Sequence, residues 1–352
     1  MVQKRNVDLE YCNEILPHNE EITWKEMTVG RYTTQEPVIW QRVPSSRECK
    51  MRLFKNGKKH LRMAILMVNG KSNYKDRLWI ELSIGNILRF TSPYTEYKIF
   101  LWNHDYENPK VNKFLESVSQ YVEVISEKNF DLSQWNGTRL EKPPRPLNYF
   151  GGGFHVHRTP LQILYEYVTG KYDIDILFTF DTDSWPIRNN WEVPLVYRLE
   201  RDIQLTGIWR DELQIVRPPH IHASCLGIKT QTVKRLNLRF DYHPSPVKED
   251  TLTHFTHIIQ DEFSDQAILP LMRSNAKEYH SVFNGIYGGI VYHHHLGSRY
   301  REGSISRPVT AGWQERNESP EDNKFVLDAA TAMVFEQTDD FVHDLAYGND
   351  AF

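Results

Sequence analysis

Two carboxylates separated by one residue follow directly on an apolar run: Ile176-Leu177-Phe178-Thr179-Phe180, then Asp181-Thr182-Asp183. Carboxylates at the carboxyl edge of a buried strand attract a hard divalent cation, Mn2+ or Mg2+, which in turn can hold a diphosphate. The bland alternative is that Asp181 caps a turn and Asp183 is solvated. Two further groups carry polar chemistry. Ile290-Val291-Tyr292-His293-His294-His295 is a short strand ending in imidazoles, which are good borderline ligands when neutral, or else simply a polar strand end. Asp261-Glu262-Phe263-Ser264-Asp265-Gln266-Ala267 reads as the acidic opening of a helix, where the helix dipole alone would favour such residues.

These groups need a scaffold, and the pattern before Asp181 supplies one. Leu61 to Val68 is a short apolar strand, followed by a helical pattern carried by Leu78, Ile80, Ile84, Ile87 and Leu88. Tyr97 to Trp102 reads as a strand, Val111 to Val118 as a helix and Tyr121 to Ile125 as a strand. Thr159 to Val168 then reads as a helix and Ile174 to Phe180 as a buried strand. Such alternation predicts a doubly wound, mostly parallel α/β sheet whose ligands sit outside the carboxyl ends of its strands. Asn69, Asn103, His104 and Asp105 terminate the first two strands and therefore belong to the same edge as Asp181.

The rest of the chain is less regular. Residues 1 to 59 form an N-terminal extension with short strands, in which Lys55-Asn56-Gly57-Lys58 marks a hairpin turn. Ile203 to Trp209, His222 to Ile228 and Ile290 to His294 read as strands, Gln231 to Leu236 and Glu262 to Met272 as helices. A polar segment from Arg299 to Asp322 precedes an amphipathic helix over Phe325 to Leu345. The division expected is 1–59 extension, 60–310 catalytic body and 311–352 C-terminal loop and helical segment.

Composition narrows the partners. The 352 residues carry 42 Lys+Arg against 46 Asp+Glu, a net charge of -4, which argues against binding nucleic acid or anionic membrane through bulk charge. Cys12, Cys49 and Cys225 are odd in number and widely spaced, so no disulfide framework is expected. The charged start of the chain has no secretory pattern, and the longest apolar runs are too short to span a bilayer. The expectation is a cytoplasmic protein.

Asp181-Thr182-Asp183 after an apolar strand, preceded by a nucleotide-binding half, resembles the GT-A fold of glycosyltransferases. The resemblance implies a Rossmann-like mixed sheet flanked by helices, a nucleotide-sugar donor with UDP favoured, and a hydroxyl-bearing acceptor. It implies Asp183 as principal metal ligand and Asp181 as a metal, ribose or sugar contact. His294-His295-Leu296-Gly297 fits the late His-x-x-Gly context of several such enzymes, with His294 the first choice as ligand and His293 the reserve. Asp265 is the implied base that deprotonates an acceptor in an inverting reaction, with Asp261 and Glu262 as alternates; the Asp265-Gln266 pair also resembles retaining members.

By the same resemblance Asn69, Asn103 and Asp105 would contact the nucleoside, and Arg299 and Arg301 could clamp the departing diphosphate. Trp185, Trp209 and Trp313 offer flat apolar faces for a sugar ring, or belong to the core. Three other classes share parts of the pattern: a haloacid-dehalogenase-like phosphatase, a nucleotidyltransferase, and a non-catalytic sugar-binding module. The phosphatase motif belongs near the start of a chain, and the Gly-rich basic loop of a nucleotidyltransferase is absent at Asn69-Gly70-Lys71-Ser72.

Overall fold

The computed structural model describes residues 24–29, 32–37, 54–55, 58–70, 73–74, 77–130, 155–211, 219–241, 252–275 and 285–294. Its centre is a sheet of seven strands in one continuous order. In chain order these are β1 (Lys58–Asn69), β2 (Tyr97–Asn103), β3 (Val122–Ile125), β4 (Tyr172–Asp181), then, after the short β5 (Ser184–Pro186), β6 (Leu205–Arg210), β7 (His220–Lys229) and β8 (Ile268–Leu271). Across the sheet they stand β8-β6-β7-β4-β1-β2-β3. The pairs β1–β2, β1–β4, β2–β3 and β6–β8 are parallel, while β7 is antiparallel to both β4 and β6. Six strands therefore share one direction and β7 alone opposes them. This is a mixed, mostly parallel, Rossmann-like sheet flanked by helices, as expected.

Alternating burial explains why these sequences form central strands. In β1, Ala64, Leu66 and Val68 join one core while Met63, Ile65 and Met67 join the other. Side chains of a strand point to opposite faces in turn, so a strand apolar at every position must be covered on both sides. The first face is covered by α3 (His155–Lys171) through Leu161, Leu164 and Val168, and by α6 (Thr253–Phe263) through Phe255 and Ile259. The second is covered by α1 (Trp79–Phe90) and α2 (Pro109–Ser117), and by α4 (Glu192–Leu199) through Leu195 and Leu199. Burying each such Leu, Ile or Phe contributes about 1.5–3 kcal/mol. α5 (Thr230–Arg235) follows β7.

A second, three-stranded antiparallel sheet was not foreseen. β5 pairs with β10 (Val291–His293), which pairs with β9 (Gly285–Tyr287). Its register sets Ser184 opposite His293, directly beside the two aspartates.

Most predicted elements lie where the pattern put them, and the hairpin read at the Asn-Gly turn pairs Phe54–Lys55 with Lys58–Lys59. The short strands expected in the extension include Trp24–Val29 paired with Tyr32–Pro37, whose positions the sequence did not specify. The expected helix over Glu262 to Met272 is corrected. The helix there is α6, which ends at Phe263. Ser264 has φ 84°, and a single 3-10 turn, Asp265–Ala267, leads into strand β8. The reason lies in Ile268-Leu269-Pro270-Leu271, where proline lacks the N–H a helix interior needs. An edge strand tolerates it, and among the described residues β8 pairs with β6 alone. The expected segments 299–322 and 325–345 lie outside the described residues.

One glycine shapes the site edge. Gly207 has φ +145°, and a Cβ there would meet the Cys225 carbonyl. The β6–β7 register shifts between Gly207 and Trp209, and beyond the shift Arg210 stands opposite His220.

Candidate metal centre

Asp181 ends β4 and Asp183 sits in the turn into β5. Three hydrogen bonds fix that turn: the Ser83 hydroxyl of α1 donates to the Ser184 carbonyl at 2.7 Å, the Ser184 hydroxyl donates to the Asp181 carbonyl at 3.1 Å, and the His294 N–H donates to the Asp183 carbonyl at 2.9 Å. Ser184 Oγ also contacts the Ser224 carbonyl on β7. With the backbone held on three sides, the carboxylates have little freedom beyond their own side-chain torsions.

The ligand atoms of Asp181, Asp183 and His293 all lie within 4.8 Å of one another. His293 Nε2 is 3.7 Å from Asp183 Oδ1. Two carboxylate oxygens and one imidazole nitrogen fit Mn2+, and also Mg2+ if water fills the remaining positions. His293 is buried and its pKa lies well below the usual histidine value; burial is the main cause, helped by His222 and Arg210 and opposed by Asp181. A histidine kept neutral has its lone pair available. Burial would raise the Asp181 carboxyl, but the nearby imidazole of His157, with smaller effects from His222 and His293, holds it below the ordinary carboxylate range.

The order of preference between the two histidines is corrected. His294 is fully buried on the opposite side of β10, its ring centroid 4.7 Å from that of Trp79 and its Nδ1 2.8 Å from the Tyr292 hydroxyl. Adjacent strand residues face opposite ways, so only one of the pair can meet Asp183, and the register selects His293. Burial pushes the His294 pKa down to about 3.

Asp261, Glu262 and Asp265 are exposed and are not brought to this edge. They precede β8, which runs parallel to β6 and, through the antiparallel β7, in the direction of β4. The start of β8 is therefore at the amino edge of the sheet, and Asp181 is at the carboxyl edge. Asp265 Oδ1 accepts instead from Gln260 Nε2 at 2.8 Å. These residues do not reach the metal group, which corrects their expected placement as base.

Trp185 is likewise not available to a sugar. It is 1% exposed, with ring centroids 4.7 Å from Tyr292 and 6.4 Å from Trp79. Trp209 belongs to the core of the first face. Arg299, Arg301 and Trp313 lie outside the described residues.

Asn69 and Asn103 end β1 and β2 side by side, as expected. Asn69 Nδ2 donates to Asn103 Oδ1 at 2.9 Å, and the Asp105 N–H donates to the same oxygen at 3.0 Å. Asp105 Oδ2 accepts from Asn108 Nδ2 at 2.9 Å. This fixes a polar ledge across two strand ends on the far side of β4 from β7.

Four residues at the carboxyl edge were missed: His157, Arg210, His220 and His222. His157, in the first turn of α3, has Nε2 3.0 Å from Asp181 Oδ1. His222 stacks on His293 with centroids 5.7 Å apart, and accepts the Ser224 N–H at its Nδ1. That bond places the proton of a neutral His222 on Nε2. The pattern His220-x-His222 was visible, but β7 runs backwards. Its first residues reach the carboxyl edge for that reason, and only the topology says so.

No family model matches the sequence, and no curated protein matches it. Solved structures to which the chain is similar include S. aureus TarS 1-349 in complex with UDP-GlcNAc, 10% identical at TM-score 0.36 over 56% of this chain and 53% of that one. Mannosyltransferase PcManGT from Pyrobaculum calidifontis, in complex with GDP-Man and Mn2+, is 11% identical at TM-score 0.39, covering 82% of this chain and 85% of that one. The 4-diphosphocytidyl-2C-methyl-D-erythritol synthase from Anaerococcus prevotii is 8% identical at TM-score 0.35, covering 65% and 88%. The chain spans about half the length of the TarS 1-349 fragment and 33% of the longer TarS chain.

Proposed function

We propose that this protein is a metal-dependent glycosyltransferase, moving a sugar from a nucleoside-diphosphate sugar, UDP favoured, to a hydroxyl acceptor. The observation that carries the reading is the group Asp181, Asp183 and His293, assembled from two sheets at the carboxyl edge. A bound Mn2+ or Mg2+ would neutralise charge that develops on the departing diphosphate. Asp181, Asp183 and His293 would hold it. Asn69, Asn103 and Asp105 would meet the nucleoside on the β1–β2 side, and Arg299 and Arg301 remain proposed contacts to the diphosphate.

Asp261, Glu262 and Asp265 lie near the amino edge, away from the metal group. The body proposed to carry the reaction is 60–310. No helix among the described residues is long and apolar enough to cross a membrane. A cytoplasmic setting is proposed from the sparse cysteines, of which Cys225 is free and buried.

The test is a thermal-shift series with UDP, GDP, dTDP and CMP, each with and without Mn2+. A ligand at 100 times its Kd stabilises by about 2.7 kcal/mol, so a metal-dependent rise with one nucleoside diphosphate is expected. No shift with any pair, or hydrolysis of a generic aryl phosphate in place of a nucleotide sugar, would refute the reading.

A further inference from the structure

Asp181 stands between two sets of groups that arrive from opposite faces of the sheet. Phe180 packs into the second face, so strand alternation turns the Asp181 side chain toward the first, where α3 lies. There His157, in the first turn of α3, meets Asp181 Oδ1 at 3.0 Å. Asp183 and His293 close on Asp181 from the side of the small sheet. His157 is not one of the three residues whose ligand atoms gather within 4.8 Å. It touches the carboxylate without joining the group.

We propose that His157 is a positioning residue for the cation site, holding one carboxylate oxygen of Asp181 so that the aspartate meets the cation through the other. The proposal rests on the metal-site reading above. An aspartate carboxylate turns broadly about its last torsion, and an unrestrained one can present either oxygen or both. A ring N–H donated to Oδ1 removes that choice. It favours one-oxygen ligation, the mode suited to a small cation with strict geometry. Groups that orient a ligand in this way are worth a factor of about 10–100 in metal affinity. The side chains of His157 and Asp181 are 22% and 19% exposed, so the pair is only partly wetted and its hydrogen bond competes modestly with water.

The experiment is Mn2+ titration of the full chain, followed by loss of the free aqueous Mn2+ signal in electron paramagnetic resonance. Asp183→Ala serves as the control for the site itself. His157→Ala is expected to weaken Mn2+ binding about 10–100-fold, and His157→Gln, whose amide can still donate, to recover most of it. Nitrogen modulation in the spin echo of bound Mn2+ is expected to be the same in the wild type and His157→Gln, because the ligating nitrogen is that of His293.

A Kd for His157→Ala within about threefold of wild type overturns the positioning role. Loss of a nitrogen coupling in His157→Gln overturns it as well, since His157 would then be a ligand. Should the alanine variant unfold, His157→Leu and His157→Gln at matched melting temperature carry the comparison. If Asp183→Ala binds Mn2+ like wild type, the metal-site reading itself fails, and that outcome is distinct from the other two.

Discussion

His293 Nε2 stands 3.7 Å from Asp183 Oδ1, although 110 residues separate the two along the chain. The contact exists because Ser184 pairs with His293 across two short strands and the His294 N–H closes on the Asp183 carbonyl at 2.9 Å. Backbone pairing itself brings the two side chains together. The site is thus preorganised by a ladder whose own hydrogen bonds do not involve the ligand atoms.

Removing either partner should separate metal binding from folding. Asp183→Ala and His293→Ala are expected to abolish the Mn2+-dependent rise in melting temperature with a nucleoside diphosphate, worth about 2.7 kcal/mol at 100 times Kd in the wild type. The comparison is a melting curve with and without Mn2+. A retained rise in both variants would place the cation elsewhere.

His294→Ala should behave in the opposite way. Its ring fills space against Trp79 and Tyr292 in a fully buried position. Its loss should cost about 2–4 kcal/mol of stability in urea unfolding while the Mn2+-dependent increment persists.

Trp185→Ala is expected to cost about 3–5 kcal/mol through the cavity left between Trp79 and Tyr292. Chemical denaturation measures it directly. A variant as stable as wild type with weakened donor binding would return Trp185 to the sugar.

Asp265→Asn, Asp261→Asn and Glu262→Gln should leave donor turnover within about twofold of wild type, because all three side chains are exposed near the amino edge. A drop of about a hundredfold in any of them, measured as donor hydrolysis or transfer, would contradict that placement.

Acid lability should trace to Glu123 on β3. Burial would raise its carboxyl, but hydrogen bonds from Lys171, Tyr167, Tyr172 and Lys98 outweigh burial and bring it down to about 2. A carboxyl lowered on folding adds stability above its unfolded value near 4.5, and that stability is lost as the pH falls toward 2. Its size is about 1–3 kcal/mol, reduced because the Lys171 side chain is 49% exposed. Urea unfolding across pH 2–5 should show a shallower slope in Glu123→Gln than in wild type.

The strands were legible because each carries its own signal. β1, β2 and β4 each carry a mostly apolar run, over 63–68, 99–102 and 176–180, which demands two covered faces and hence a central place in the sheet. The Asp181–Asp183 pair was legible for the same reason, since the end of a buried parallel strand fixes an edge. The helix expected over 262–272 failed because Asp261 and Glu262 stand in the last turn of α6, against the dipole preference, and the break at Ser264 depends on a positive φ that serine seldom adopts.

What the sequence determined alone, then, is local: which segments are buried on both faces, where they stop, and that two carboxylates stand at one stop. Which histidine meets them was decided by the pairing of β5 with β10, because a shift of one residue turns every side chain of a strand to the other face. Which edge His220, His222 and Asp265 occupy was decided by strand direction, because the reversal of β7 carries its beginning to the carboxyl edge and the parallel course of β8 leaves its beginning at the other. Register and direction arise from contacts between distant segments, and no window of the chain contains them.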